Sequence, residues 1–338
     1  FSGLIFFFQP SLIFLNGLPF SVTSLFVITI PLVGVIFSKR QWLLSKKYGY
    51  LTPSEMVSDY FKSNIIKILI VVIALGFSIP FIAMQLSFGG LLLNVISDDI
   101  LGKGSGSILI GAVVCVYLST GGIRSLIIID SIQFLLIIFG IFCVGFIAYD
   151  LVGGWSLLNE SLSRIANIKE NLFNIKENYN SFLSIPGTIK TVNLLNDELP
   201  YNGIWTSSMI LTFVLALSGI QLAPNVSMIT YASKDPGYFA TQQIWFSGFL
   251  IGFLLIFFVT GIGMGSALLG ANNTINESGN NVSNILPPDI YPNNFMSLVP
   301  NIINLVGEYS FIFFGILGIC AIAAVQSMAS LILTSSAI

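Results

Sequence analysis

Residues 121–150 read GGIRSLIIIDSIQFLLIIFGIFCVGFIAYD. Beyond the glycine pair and Arg124, the run 126–150 is long and apolar enough to cross about 30 Å of hydrocarbon as one helix. A single acid, Asp130, lies clearly within it. The pattern repeats outward in both directions. No Asp, Glu, Lys or Arg occurs in 1–38, 68–97, 104–123, 131–149, 199–233, 236–276 or 309–338, together well over half the chain. Of 338 residues, 8% are charged and 55% hydrophobic, and the mean hydropathy is +0.91. Soluble domains carry about 25% charged residues. Too few polar side chains remain here to cover a water-facing surface. The composition therefore specifies an all-α membrane protein, a single membrane domain over 1–338.

Candidate spans are 1–15, 20–38, 65–96, 107–120, 126–150, 205–232, 239–270 and 308–338. The first is short and contains Gln9-Pro10, so it reads as half a span. The run 290–307 also lacks charge but holds Pro292, Asn293, Asn294 and Pro300, and reads as a surface or interfacial segment within an extracytoplasmic loop, 271–307. Basic residues set the orientation. Lys39, Arg40, Lys46, Lys47, Lys62, Arg124 and Lys234 fall on one side, and Lys103 alone lies in the short connector opposite. This places 39–63, 121–125 and 233–238 in the cytoplasm, and makes 151–204 a long extracytoplasmic loop. Within 39–63, Thr52-Pro53-Ser54-Glu55 has the hydroxyl cap, first-turn proline and third-position glutamate of a helix start. A short helix lying on the membrane surface is expected there.

Several function classes are excluded. There is no histidine, which removes Ser-His-Asp and Cys-His catalysis and His-ligated zinc. Cys115, Cys143 and Cys320 lie in apolar stretches and read as small buried hydrophobes. The net charge of −2 offers no basic patch for nucleic acid. Gly102-Lys103-Gly104 lacks the spacing of a phosphate loop. The chain starts at Phe1 and stops at Ile338 within apolar runs, so both ends are expected to be cut edges of a larger protein.

Three segments carry polarity into the apolar spans, where it is costly and points to function. In the first, Asp130, Gln133 and Phe134 share a helical face. Asp130 either lies on a cation or water path or is an acid near a helix start, steadied by the dipole and Arg124. In the second, Ser218, Gly219, Gln221, Pro224 and Asn225 interrupt a span. Such a break lines a cavity, as in secondary transporters, or is a proline kink with its polar groups bonded internally. In the third, Ala323-Ala324-Val325-Gln326-Ser327-Met328-Ala329-Ser330 precedes Thr334-Ser335-Ser336. Its carbonyl and hydroxyl oxygens suit an alkali cation, and its small residues equally suit close helix packing.

These segments, in this order, resemble the sodium:solute symporter family, which includes the proline, pantothenate and sugar symporters. Gly121, Gly122, Ser125, Asp130 and Gln133 match one family element, and Ala323, Ala324 and Ser327 match another. Thr334-Ser335-Ser336-Ala337 resembles the serine-rich turn that follows, and Thr52-Pro53-Ser54-Glu55 with Tyr60-Phe61 fits the family's helix start. The likeness runs from about Lys39 to Ile338.

The resemblance implies a LeuT-type inverted-repeat helical bundle, truncated at both ends. The chain would hold the end of core helix one, core helices two to seven and core helix eight. It implies sodium-coupled symport of a small organic solute (an amino acid, carboxylate or sugar) by alternating access, in the inner or plasma membrane. The Ala324 carbonyl and Ser327 hydroxyl match sodium ligands, and Asp130 matches an acid on the sodium release path. Ser218, Gly219, Gln221, Pro224 and Asn225 would line the solute site, facing Gln85 and Ser87. The chain departs from the family at Met328, where threonine or serine is usual and a thioether is a poor sodium ligand. Ser330 or water could then substitute, or another ion, such as the proton, could be coupled. A sensory membrane module of a signalling protein and a channel are the rival readings. An enzyme is disfavoured, since the spans hold no paired acids or activated nucleophile.

Overall fold

The computed structural model describes residues 2–18, 20–21, 26–159, 207–269 and 294–337. Most of the expected 151–204 loop and residues 271–293 of the expected 271–307 loop lie outside the described residues. No strand occurs among those described, and six helices are long and apolar enough to cross a membrane.

The first apolar stretch is a short helix, α1 (Leu4–Asn16), ended by Gly17 at φ 81°. Helix α2 (Phe26–Tyr48) runs well past residue 38, where the sequence placed its end. Lys46 and Lys47 sit in its last turn, where cations complement the helix dipole, and Gly49 at φ 78° stops it. Helix α3 (Pro53–Phe61) begins as expected. Thr52 Oγ1 accepts from the Glu55 N–H at 3.3 Å, and Glu55 Oε2 accepts from the Thr52 N–H at 3.3 Å. Tyr60 and Phe61 at its end are exposed.

Helix α4 (Asn64–Ile96) shows Ile65, Ile68, Leu69, Val72 and Ile73 to the surroundings, as a lipid-facing helix does. Its last third is buried by glycines. A Cβ on Gly90 would stand 2.2 Å from the Lys103 carbonyl, and one on Gly89 would stand 2.4 Å from Ile110. Small residues let these helix backbones approach closely.

Helix α5 (Lys103–Leu151) differs from the expectation of a connector at 121–125, because helical backbone continues through it. The two expected spans nevertheless exist as two arms, Lys103–Gly121 and Ser125–Leu151. Gly89 faces both Ile110 and Val325, whereas Gly140 faces Cys320. A straight helix would separate 110 from 140 by about 45 Å. Val325 and Cys320 are little more than one turn apart, so α5 folds back on itself.

Helix α6 (Ser207–Gly219) ends in a 3-10 turn, Ile220–Leu222. Ala223 is extended (φ −60°, ψ 144°), and α7 (Pro224–Ala232) restarts with proline in its first turn. The eighth helix, α8, covers 239–269 and contains π-helical stretches at Gln243–Leu250 and Leu255–Val259.

Part of the expected 271–307 loop is a helix, α9 (Leu298–Tyr309). Its apolar side chains Leu298, Val299, Ile302, Ile303 and Val306 recur at helical spacing and are buried. Pro300 lies in the first turn, where its missing N–H costs nothing. Last, α10 (Phe311–Ala337) packs against both α4 and α5. Phe6 of α1 sits beside Gly140 and Cys320, so the short first helix enters this core. Cys143 and Cys320 are buried as expected, but Cys115 is exposed on the outer face of α5, beside exposed Val116.

Candidate functional site

The first and third polar segments meet. The Ser327 hydroxyl donates to Asp130 Oδ1, joining the second arm of α5 to α10. One turn along, Gln133 Nε2 reaches Gln326 Oε1 at 3.5 Å, while Gln133 Oε1 is buried without a hydrogen-bond partner. Ser330 is 2% exposed and donates to the Ser327 carbonyl at 2.8 Å. Thr334 donates to the Ser330 carbonyl at 2.9 Å. Hydroxyls thus line α10 from the middle of the helix to its end. Ala324 is fully buried and Met328 half-buried.

A cavity of about 460 Å³ opens one turn away. Leu126 and Ile127 of α5, Asn225 and Met228 of α7, and Leu331, Thr334 and Ser335 of α10 line it. Asp130 follows Leu126 by four residues and Ser327 precedes Leu331 by four. The Asp130–Ser327 pair therefore sits one helical turn deeper in the bundle than the cavity. Ser45, Lys46, Tyr50 and Leu51 close the other side. All three interrupted segments contribute to this one space. A second cavity of about 270 Å³ lies beside it, between Glu55, Lys67, Ser78, Pro224 and Ser335.

The residues of the helix break divide between different tasks. Asn225, 6% exposed, faces the first cavity, and Pro224 lines the second. Gln221, 1% exposed, donates to Ser38 Oγ at 2.9 Å and ties the break to α2. Ser218 donates to the Val214 carbonyl of its own helix, and Gly219 is exposed with open space around it. The bonds of Ser218 are those of an internally satisfied kink, whereas Asn225 is cavity-facing.

Gln85 and Ser87 part company. Gln85 is fully buried against α1, where its Oε1 accepts from the Gly3 N–H at 3.0 Å and its Nε2 has no partner. Ser87 is exposed. Two residues apart on a helix they point some 200° from each other, so they cannot face one pocket together. The sequence reading missed Leu126, Leu331 and Tyr50 as cavity-lining groups. The apolar pair carries no polar signal, and Tyr50 lies in a connector.

The sequence pattern that defines the sodium:solute symporter family matches residues 1–338, the whole chain. No individual curated protein matches it.

Proposed function

The chain belongs to the sodium:solute symporter family, and from that premise we propose that it is a sodium-coupled symporter of a small organic solute, working by alternating access. It is a multi-pass membrane protein of a transporter family. The LeuT-type arrangement, the inner or plasma membrane as its location, and the cytoplasmic side for 39–63 belong to the same proposal. One observation supports it most: the Asp130–Ser327 pair lies one helical turn from a cavity that Asn225 of the α6–α7 break also lines.

The packing suggests the moving parts. Helices α4, α5 and α10 are locked together at Gly89, Gly90 and Gly140. Helix α2 is tied instead to the broken helix and to α8. Gln221 bonds Ser38, the Trp42 indole N–H donates to the Ser233 carbonyl at 2.8 Å, and Gly34 lies against Gln243. The first cavity lies between these two groups. The later half of α8 stays with α5, since the Tyr149 hydroxyl donates to the Phe257 carbonyl at 2.7 Å, so rocking of α2 and α7 against α4, α5 and α10 opens or closes the cavity.

The donor set fits a sodium ion, which prefers hard oxygens. The Ala324 carbonyl and the Ser327 hydroxyl hold it, and Asp130 receives it on the way to the cavity. Asn225 contacts the solute where the broken helix meets the cavity. Gln85 offers a free buried amide N–H near α1. The ion gradient drives the cycle, with about 2.3 kcal/mol per charge per 100 mV added to the concentration term.

The test is uptake of a panel of labelled amino acids, carboxylates and sugars into proteoliposomes. Accumulation driven by an inward sodium gradient is expected. Uptake that is indifferent to sodium and abolished by proton uncouplers would overturn the ion assignment.

A further inference from the structure

The first cavity carries one charged side chain. Lys46, exposed in the last turn of α2, lines its mouth, and no Asp or Glu lines it anywhere. Among the described residues the Lys46 ammonium lies over the Trp42 ring, 6.0 Å from the centroid, and meets no carboxylate. The neighbouring acids are engaged or face elsewhere. Asp59 accepts from the Tyr50 hydroxyl, and Glu55 lines the second cavity. Asp130 sits one turn beyond Leu126, where the symport reading already places a cation.

The remaining polar groups narrow the occupant further. Every hydroxyl on the lining already donates within the protein. Ser45 donates to the Tyr50 carbonyl at 2.7 Å, Tyr50 to Asp59, and Tyr231 to the Met56 sulfur at 3.9 Å. Thr334 donates to the Ser330 carbonyl and Ser335 to the Ile332 carbonyl, each at 2.9 Å. Lys46 and Asn225 are left as the lining side chains with donors to offer. Asn225 and Ala232 both line the cavity, about 10 Å apart along α7. Asn225 stands in the first turn of α7, where the helix dipole is positive. Both ends of the cavity therefore favour negative charge, while Leu126, Ile127, Met228 and Leu331 make the wall between them apolar.

We propose that the solute is a monocarboxylate with an apolar body, recognised in this cavity by the Lys46 ammonium and the start of α7. This inference rests on the symporter reading and narrows its solute class. A zwitterionic amino acid would bring an ammonium for which the lining holds no acid. A sugar would bring several hydroxyls to a wall whose own hydroxyls are committed. Desolvated polar groups without partners are costly, so both are disfavoured.

The test uses the purified full-length protein in proteoliposomes, with labelled benzoate, hexanoate, phenylalanine and glucose as probes. An inward sodium gradient is expected to accumulate the carboxylates benzoate and hexanoate, but neither phenylalanine nor glucose. Lys46→Gln should raise the half-saturating carboxylate concentration about fivefold, as one partly solvated ion pair is lost, and Lys46→Arg should preserve it. Lys47→Gln is the control, since it removes the same charge from the same turn, yet Lys47 lies over the Tyr48 ring and off the lining. An unchanged Lys46→Gln, equal losses in Lys46→Gln and Lys47→Gln, or sodium-driven uptake of phenylalanine or glucose in place of the carboxylates would overturn this inference and leave symport intact. Carboxylate uptake that depends on Lys46 but ignores sodium would overturn the coupling and leave the solute class standing. Absence of carboxylate uptake under any gradient would overturn the inference outright.

Discussion

Gly90 offers the sharpest test of the packing that holds the proposed site together. A Cβ at this position would stand 2.2 Å from the Lys103 carbonyl oxygen, 2.2 Å from Ser107 Oγ and 2.9 Å from the Ser107 nitrogen. Two of these three neighbours are backbone, so rotamer changes cannot relieve them. Ordinary contact needs about 3.5 Å, so α4 and α5 must separate by roughly 1 Å. A gap of that size forfeits a large part of the dispersion attraction along the seam. Overpacking of this kind costs about 1–3 kcal/mol. Gly76 on the same helix is the control, because nothing lies within 4 Å of its Cβ position. Alanine there gains about 0.5–1 kcal/mol of helix propensity. Both glycines lie in the interior of α4, so this gain cancels, and the difference between Gly90→Ala and Gly76→Ala is about 1–3 kcal/mol, or roughly 2–4 °C in Tm. A thiol-reactive fluorophore can follow unfolding, since Cys143 and Cys320 are buried and free, and Cys115 supplies the exposed baseline. If the two variants melt together, the close α4–α5 approach is wrong.

Three further outcomes are expected. The Tyr50 hydroxyl donates to Asp59, which pushes its pKa up to about 12. The folded value lies above the ordinary tyrosine value of about 10. The contact therefore stabilises the connector fully below about pH 10 and is lost as pH rises through 12. Tyrosinate absorbance should lose its step near pH 12 in Tyr50→Phe, and an unchanged titration would contradict the contact. Thr52→Ala removes the α3 cap at a cost of about 1 kcal/mol, which hydrogen exchange should register as faster exchange at Glu55 and Met56. Unchanged protection there would contradict the cap. Asn225→Leu keeps the side-chain size but removes the polar group facing the cavity. Solute uptake should fall about tenfold or more while the protein still assembles; full uptake would exclude Asn225 from the path.

Much of this was legible in the sequence for physical reasons. Charge-free runs near 20 residues can only be helices in hydrocarbon, because each backbone amide must be bonded internally. Proline after Leu222-Ala223 forced the break between α6 and α7 to be where the structure has it. Asp130 and Ser327, 197 residues apart, were each conspicuous as polar groups in oily helices, but their hydrogen bond was not readable from spacing. That contact depends on α5 folding back near 121–125, where the sequence placed a connector between two spans, but which residues of its arms meet α10 is not set by spacing. The expectation that Gln85 and Ser87 both face the solute site runs against helical geometry, which points them some 200° apart. Nor could the tie from Gln221 to Ser38 be foreseen, since a buried glutamine shows no preference for a solute over a neighbouring helix.

The central claim is that the three interrupted segments enclose one passage whose opening depends on sodium. Thr334 lines that passage through the first cavity. A single cysteine at 334, with Cys115, Cys143 and Cys320 replaced, can be labelled with a membrane-impermeant maleimide in sealed vesicles of either orientation. The account predicts labelling from the cytoplasmic face alone, slowed severalfold when external sodium favours the opposite state. Equal labelling from both faces, or a cytoplasmic rate untouched by sodium, would contradict it.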